Sequence, residues 1–359
     1  MKKITKSALY LFNWLVVILF LIAASAKYIS PEIWLIPSYV ALGFPYLFVL
    51  NVFFVVFWFY RLNGRLFVSL IVLFAGWGQF LGMFQISFTK KKKHQQEFNI
   101  VSHNLRAFGL NGPKFETTTG TKIFKYYKNI EADVFCFQEF FNTSNFKFSP
   151  KDSIKKSINS KYEHIEYVVH FRGNDFGLAT FSKYPIVNKG VVKMPQQGTN
   201  LCIFSDIDFG DETIRFYNFH LASIHFREAE YKYIEEIDQK TQDEHLAAAT
   251  SLFTLIGNAF EKRAIQAEII KKHVENSPFP VVVCGDLNDT PNSYAYHALK
   301  KGLDDTFEQK GMFLGNTYNG KLPPLRIDFM LVSPRFEVYT QHADKVDLSD
   351  HYPIFSTLQ

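Results

Sequence analysis

Residues 281–291 read VVVCGDLNDTP. The run Val281 to Cys284 is apolar and mostly β-branched, and the polar cluster Asp286, Asn288 and Asp289 follows directly after Gly285. An apolar run this short, closed by turn residues, is expected to be a strand buried on both faces. Such a strand buries its middle and delivers its last residues to a rim, where sites on rigid α/β scaffolds are built. Working outward, the same pattern recurs. Asn104 follows FNIVSH, Glu139 follows DVFCFQ, and His220 follows IRFYNF. Asp328 sits within RIDFMLV, and Asp350-His351 precede YPIF.

Taken singly, each residue has an ordinary structural explanation. Glu139 fits a solvated strand end and His220 a satisfied buried histidine. The stretch Asp286-Leu-Asn288 fits an Asx-turn, and Asp350 a capping turn residue. Together, six strand ends carrying these groups are expected to meet at one pocket. Further strands are expected over Glu163–His170, Gly177–Phe181, Asn200–Ile207 and Ile354–Thr357, and helices over Gly120–Asn129, Glu228–Ala259 and Glu261–Asn276, the last two broken near Gly257-Asn258. Many strands with few helices predict an α/β fold in which two sheets pack face to face with helices outside. Cys136, Cys202 and Cys284 all fall in expected strands and read as buried free thiols.

The first ninety residues differ in kind. Three uncharged runs, Ala8–Ala26, Ile33–Tyr60 and Leu66–Phe88, each reach the ~20 residues that cross a ~30 Å hydrocarbon core. They predict about three transmembrane helices over residues 8–26, 33–60 and 66–88. Lys2, Lys3 and Lys6 before an apolar stretch ending Ala24-Ser25-Ala26 also fit a cleaved signal peptide; its length favours an uncleaved anchor. Loop charges balance, so orientation rests on the first helix. The expectation is a multi-pass protein of the cell (inner) membrane, with residues 98–359 on the extracytoplasmic side. Lys90 to Lys93 lie in a basic juxtamembrane linker over 89–97. The spans carry no ionisable residue, which argues against a transport pathway.

The chain has 359 residues, 47% of them hydrophobic, which excludes disorder. Three cysteines exclude a disulfide framework. Its net charge of +5 divides into +9 for residues 1–93 and −4 for the remainder. An acidic globular part lacks the basic balance expected of a free-ranging duplex-binding nuclease.

The segments HNLR (103–106), DVFCFQE (133–139), GLATFSKYPI (177–186), NFHLAS (218–223), VVVCGDLNDTP (281–291), RIDFMLV (326–332) and SDHYPI (349–354) together resemble the endonuclease/exonuclease/phosphatase superfamily of metal-dependent phosphoesterases. The resemblance covers about residues 98–359. It implies a four-layer α/β/β/α sandwich and hydrolysis of a phosphodiester or phosphomonoester by an activated water, with Mg²⁺ or Mn²⁺ as cofactor. It further implies that Glu139 is the principal metal ligand, completed by Asn104 and Asp350. Asp286 would activate the water and Asn288 would hold it. His351 and His220 would face the phosphate, with Asp328 as a carboxylate partner. Arg106 and Asn174 are candidate substrate contacts; Arg106 stands where some nucleases carry a metal-proximal Asp, which leaves a second metal in question. Expected partners are a phosphate ester (nucleic acid, nucleotide or lipid headgroup) and the lipid bilayer, with no obligate protein partner evident. A sphingomyelinase-like phospholipid phosphodiesterase and a non-catalytic, membrane-displayed binding domain are the alternatives.

Overall fold

The structure is a computed structural model that describes residues 3–87, 97–109, 117–144, 149–195, 200–224, 242–320 and 323–359. Its helices are α1 (Lys3–Ser25), α2 (Ile36–Leu42), α3 (Phe44–Tyr60), α4 (Leu66–Ala75), α5 (Trp77–Leu81), α6 (Thr117–Tyr127), α7 (Pro150–Ser157), α8 (Gln242–Glu275), α9 (Tyr294–Lys300) and α10 (Thr306–Lys310). Its strands are β1 (Gln85–Ile86), β2 (Phe98–Asn104), β3 (Val134–Thr143), β4 (Tyr162–Phe171), β5 (Asn174–Ser182), β6 (Ile186–Val191), β7 (Leu201–Asp208), β8 (Thr213–His220), β9 (Val281–Asp286), β10 (Asp304–Asp305), β11 (Met312–Phe313), β12 (Asp328–Val332), β13 (Val338–Ala343) and β14 (Ile354–Leu358). The chain forms two compact units. One comprises Met1–Phe80, Ala222–Ile265 and Asn292–Ala298; the other comprises Leu81–Leu221, Gln266–Pro291 and Leu299–Gln359.

In the first unit, only one of the three expected spans is a single long helix: the apolar stretch Ser7–Ser25 within α1. The second run is bent by 69° between α2 and α3. Pro45 explains the break, since it removes the backbone donor that would bond Ala41 O and clashes with that turn, whereas Pro37 stands in the first turn of α2 and marks its start. The third run yields only the 10 residues of α4, about 15 Å of helix, before Gly76 ends it. By length and composition the described residues therefore hold one helix able to cross a membrane, or two if the bent pair counts as one. A Cβ on Gly76 would lie 2.4 Å from the Phe20 ring, so glycine lets this turn pack against α1. Asn13 ties three helices together: its amide donates to Ser69 Oγ (2.8 Å), and its carbonyl accepts from Trp58 Nε1 (2.8 Å). Tyr39 of α2 stacks edge-on against Phe253 and Phe260 of α8. Helix α8 runs unbroken through Gly257-Asn258, where a break was expected. One glycine costs a helix about 1 kcal/mol, which packing of Ala259 and Phe260 outweighs. The expected helical residues 228–241, and the linker residues 89–96, lie outside the described part.

The second unit is the expected sandwich. One six-stranded sheet has the order β10-β12-β9-β8-β7-β6, the other β13-β14-β2-β3-β5-β4. Both are mixed: β2–β3 and β8–β9 are parallel and the remaining neighbours antiparallel. Alternation along the strands builds the layers. Phe98, Ile100, Val134 and Cys136 of one sheet meet Phe216, Val282, Cys284 and Met330 of the other. The intervening Val101, Phe135 and Phe137 face outward onto Ile123 and Tyr127 of α6 and Ile154 of α7. All three cysteines are buried and free, as expected. Strands β6 and β13 were not anticipated; both carry polar residues on a half-exposed face.

Candidate active site

Register brings the polar strand ends together. In the first sheet His220 lies opposite Asp286, and Asp286 opposite Asp328. In the second, Asn104 pairs with Gln138, which sets Glu139 beside it. The β3–β5 ladder slips between Phe137 and Phe140, and Glu139 sits at this bulge with φ of 46°. A bulge re-aims a side chain that a regular strand would commit to one face. Gly285 has φ of 151°, and a Cβ there would lie 2.0 Å from Phe219 O, so only glycine allows β8 and β9 to approach next to the site.

Asn104 joins the two sheets at this mouth. Its Nδ2 donates to Glu139 Oε1 (3.1 Å) and to Asp286 Oδ2 (3.0 Å). Asp286 Oδ1 accepts the Asn288 N–H at 2.8 Å, which is the expected Asx-turn. Asn288, at φ of 55°, donates through Nδ2 to Leu221 O (3.1 Å). His220 Nε2 lies 3.7 Å from both Glu139 Oε1 and Asp286 Oδ2, and neither of its ring nitrogens has a hydrogen-bond partner. His351 Nδ1 donates to Asp328 Oδ2 at 2.9 Å, and its Nε2 lies 3.7 Å from Asp286 Oδ2. Asp328 Oδ1 is buried and without a hydrogen-bond partner.

The charges follow from this geometry. Burial acts to lower the His351 pKa, but Asp328 and Asp286 outweigh it and push it up to about 10. His351 is therefore cationic at neutral pH and presents Nε2–H as a donor. Burial raises the Asp286 carboxyl above its ordinary range, against the opposing pull of His351. Among the described residues, Asp286, Asp328 and His351 form one buried cluster whose ligating atoms lie within 4.8 Å of one another.

Two expected residues stand at the edge. Arg106 Nε pairs with Asp350 Oδ2 at 3.3 Å, so the expected substrate contact lies against an expected metal ligand. Asn174 accepts from Thr143 Oγ1 (2.7 Å), four positions along β3 from Glu139, roughly 13 Å at strand rise. Supporting residues went unnoticed in the sequence. Thr317 Oγ1 accepts the Asp328 N–H (3.1 Å), and Ser349 Oγ donates to Asn104 O (2.8 Å). Gln138 Nε2 donates to Asn218 Oδ1 at 2.7 Å, a buried polar bridge between the sheets. Gln138 and Asn218 lie inside the FQE and NFH motifs, so only a count of buried donors and acceptors could have singled them out.

Carboxylates, a free-faced histidine and an imidazolium around one rim suit a phosphate ester and an attacking water. Comparison with known proteins agrees. Residues 101–351 match the model of the endonuclease/exonuclease/phosphatase family, and residues 6–83 match a domain of unknown function. No curated protein matches the chain. Among solved structures, the endonuclease/exonuclease/phosphatase from Bacteroides vulgatus is 15% identical with a TM-score of 0.54, covering 74% of this chain and 99% of that one. The corresponding protein of Beutenbergia cavernae is 17% identical with a TM-score of 0.53, covering 74% and 72%. TDP2 of D. rerio, complexed with single-strand DNA product, is 15% identical with a TM-score of 0.53, covering 74% and 100%. At these identities the solved structures share the fold. The family match spans most of the chain, and with it the convergence of Glu139, Asp286 and His351 leads to one conclusion: the chain belongs to the endonuclease/exonuclease/phosphatase family and carries its phosphoesterase hydrolase domain.

Proposed function

We propose that the protein is a membrane-anchored, divalent-metal-dependent phosphodiesterase. The observation that carries this reading is the set of unsatisfied buried atoms at the mouth, His220 Nδ1 and Nε2 and Asp328 Oδ1, among three carboxylates. Buried polar groups are normally paired, so such atoms suit a site completed by ligand. Carboxylate oxygens of Glu139 and Asp350 would hold a hard cation, Mg²⁺ or Mn²⁺, joined by the Asn104 amide once its oxygen, here accepting the Arg106 N–H, is turned toward Glu139. Bound there, the cation would supply positive charge to the phosphate oxygens.

The chain's own groups then divide the work. Asp286 accepts the proton of the attacking water, its raised pKa making it a better base. Asn288 holds that water or a phosphate oxygen. His351, fixed by Asp328, and His220 donate to the phosphate as the P–O bond to the leaving group breaks. Helix α1 anchors the chain, with the phosphoesterase unit outside the cytoplasm. Anchoring favours a lipid headgroup or extracellular nucleic acid as substrate, and the −4 charge of residues 94–359 weighs toward the lipid headgroup.

The test is hydrolysis of bis(p-nitrophenyl) phosphate by the full chain in detergent, with Mg²⁺ or Mn²⁺, with and without chelator. DNA, RNA, phospholipid and sphingolipid follow as substrates. Metal-dependent turnover is expected. Its absence across the whole panel would leave the non-catalytic binding domain as the better reading.

A further inference from the structure

The seven residues from the end of α5 onward, Leu81–Ser87, are built into the phosphoesterase unit. Strand β1 pairs antiparallel with β11, Gln85 opposite Phe313 and Ile86 opposite Met312. Ser87 Oγ donates to Gln309 O at 3.3 Å. Arg326 Nη2 donates to Gly82 O at 2.8 Å. The same guanidinium grips Asp305 with two bonds, at 3.2 and 2.7 Å, and lies 4.5 Å from the centres of both the Phe307 and Phe329 rings. Arg326 and Asp305 are both buried. A planar fork between two rings is a rigid fixture, because guanidinium geometry leaves little freedom once both ends are bonded.

This fixture lies two residues before Asp328. The N–H groups of Ile327 and Asp328 both donate to Thr317 Oγ1, at 3.0 and 3.1 Å. Thr317 O accepts from the Tyr352 N–H, Asn319 N–H donates to Asp350 O, and Tyr318 forms a bridge with His351. A continuous run of bonded groups thus connects the Leu81–Ser87 strap to the Asp328–His351 pair.

We propose that Leu81–Ser87 is a strap belonging to the phosphoesterase unit, and that Arg326 is a positioning residue that sets Asp328, and through it His351, from the docked strap. This rests on the reading of Asp328 and His351 as the pair facing the phosphate. The strap holds the segment that carries the site's support, so a chain whose strap is released has the site residues without their alignment. An error of about 1 Å at reacting groups costs about 100-fold in rate.

The experiment uses the full chain with Arg326→Met, Arg326→Lys and Ile86→Pro. The last removes a strand N–H at an exposed position and spares the buried fork. Hydrogen exchange is followed over residues 81–87 and 312–328, with kcat and KM for bis(p-nitrophenyl) phosphate and Mn²⁺. Arg326→Met and Ile86→Pro are expected to raise exchange in both segments together and to lower kcat about 10- to 100-fold, with KM within about twofold. Arg326→Lys is expected to recover part of both. Faster exchange in the strap with unchanged exchange at 317–328, or unchanged kcat, overturns the proposal. A wild type without metal-dependent turnover would sink the hydrolase reading instead, and the strap would then be judged by whether the two segments' exchange rises together.

Discussion

Gly285→Ala is the sharpest probe of how the fold serves the site. The added Cβ would lie 2.0 Å from Phe219 O and 2.8 Å from Phe219 C, and the residue's φ of 151° is closed to alanine. Real Cβ atoms stay at least 3.0 Å from such a neighbour, so β8 and β9 must separate locally by about 1 Å. The obstacle is backbone on the buried side of a parallel ladder, and no side chain can swing aside. Backbone strain of about 1–3 kcal/mol adds to an overpacking cost of similar size. The expected loss of stability is therefore about 2–6 kcal/mol. His220 and Asp286, the next pair along the same ladder, are pushed apart from their 3.7 Å approach. A displacement near 1 Å should lower kcat/KM by about 100-fold. Urea unfolding measures the first quantity, and metal-dependent diester hydrolysis the second. A variant within about 0.5 kcal/mol and twofold of wild type would refute the claim that this close approach builds the site.

Asp286→Asn should abolish turnover by about a thousandfold or more while leaving stability equal or higher, because the substitution removes a carboxylate whose burial already disfavours its charge; a chemical denaturation curve run beside the rate assay checks both halves. His103 is expected to add to acid sensitivity. It is fully buried between Tyr127 Oη and His351 O, and burial lowers its pKa to about 3. The folded state thus declines a proton that the unfolded chain takes up below about 6.5. Its contribution is complete above that pH and is lost as pH falls toward 3, at about 1.4 kcal/mol per pH unit and about 5 kcal/mol in all. Denaturation midpoints for His103→Gln should accordingly fall less steeply between pH 6.5 and 4.5 than those of wild type; parallel slopes would count against it.

Much of the site could be read from residue order, because a strand that buries its middle declares its ends. Glu139, His220, Asp286 and Asp328 stand out as polar residues closing apolar runs, and the structure sets all four at one mouth. The roles of Arg106 and Asn174 were not legible. That Arg106 reaches the carboxylate of Asp350 depends on a turn at positive φ, over Arg106 to Phe108, that no local pattern announces. The apolar runs misled for a related reason. Hydropathy counts transfer to lipid and is blind to Pro45 and Gly76, which break the second and third runs into shorter helices and leave only the first as one long helix.

By itself the sequence determined which segments become buried strands, which residues stand at their ends, and that a basic N-terminal part with three uncharged runs precedes an acidic globular one. These are properties of short stretches, set by side-chain period and transfer free energy. Tertiary structure alone decided that Asn104 reaches across from one sheet to Asp286 in the other, that His351 is held cationic by Asp328, and that a strap from the apolar side is bonded to Arg326. Those depend on register and on the packing of distant segments, where a shift of one residue would turn each group to the opposite face.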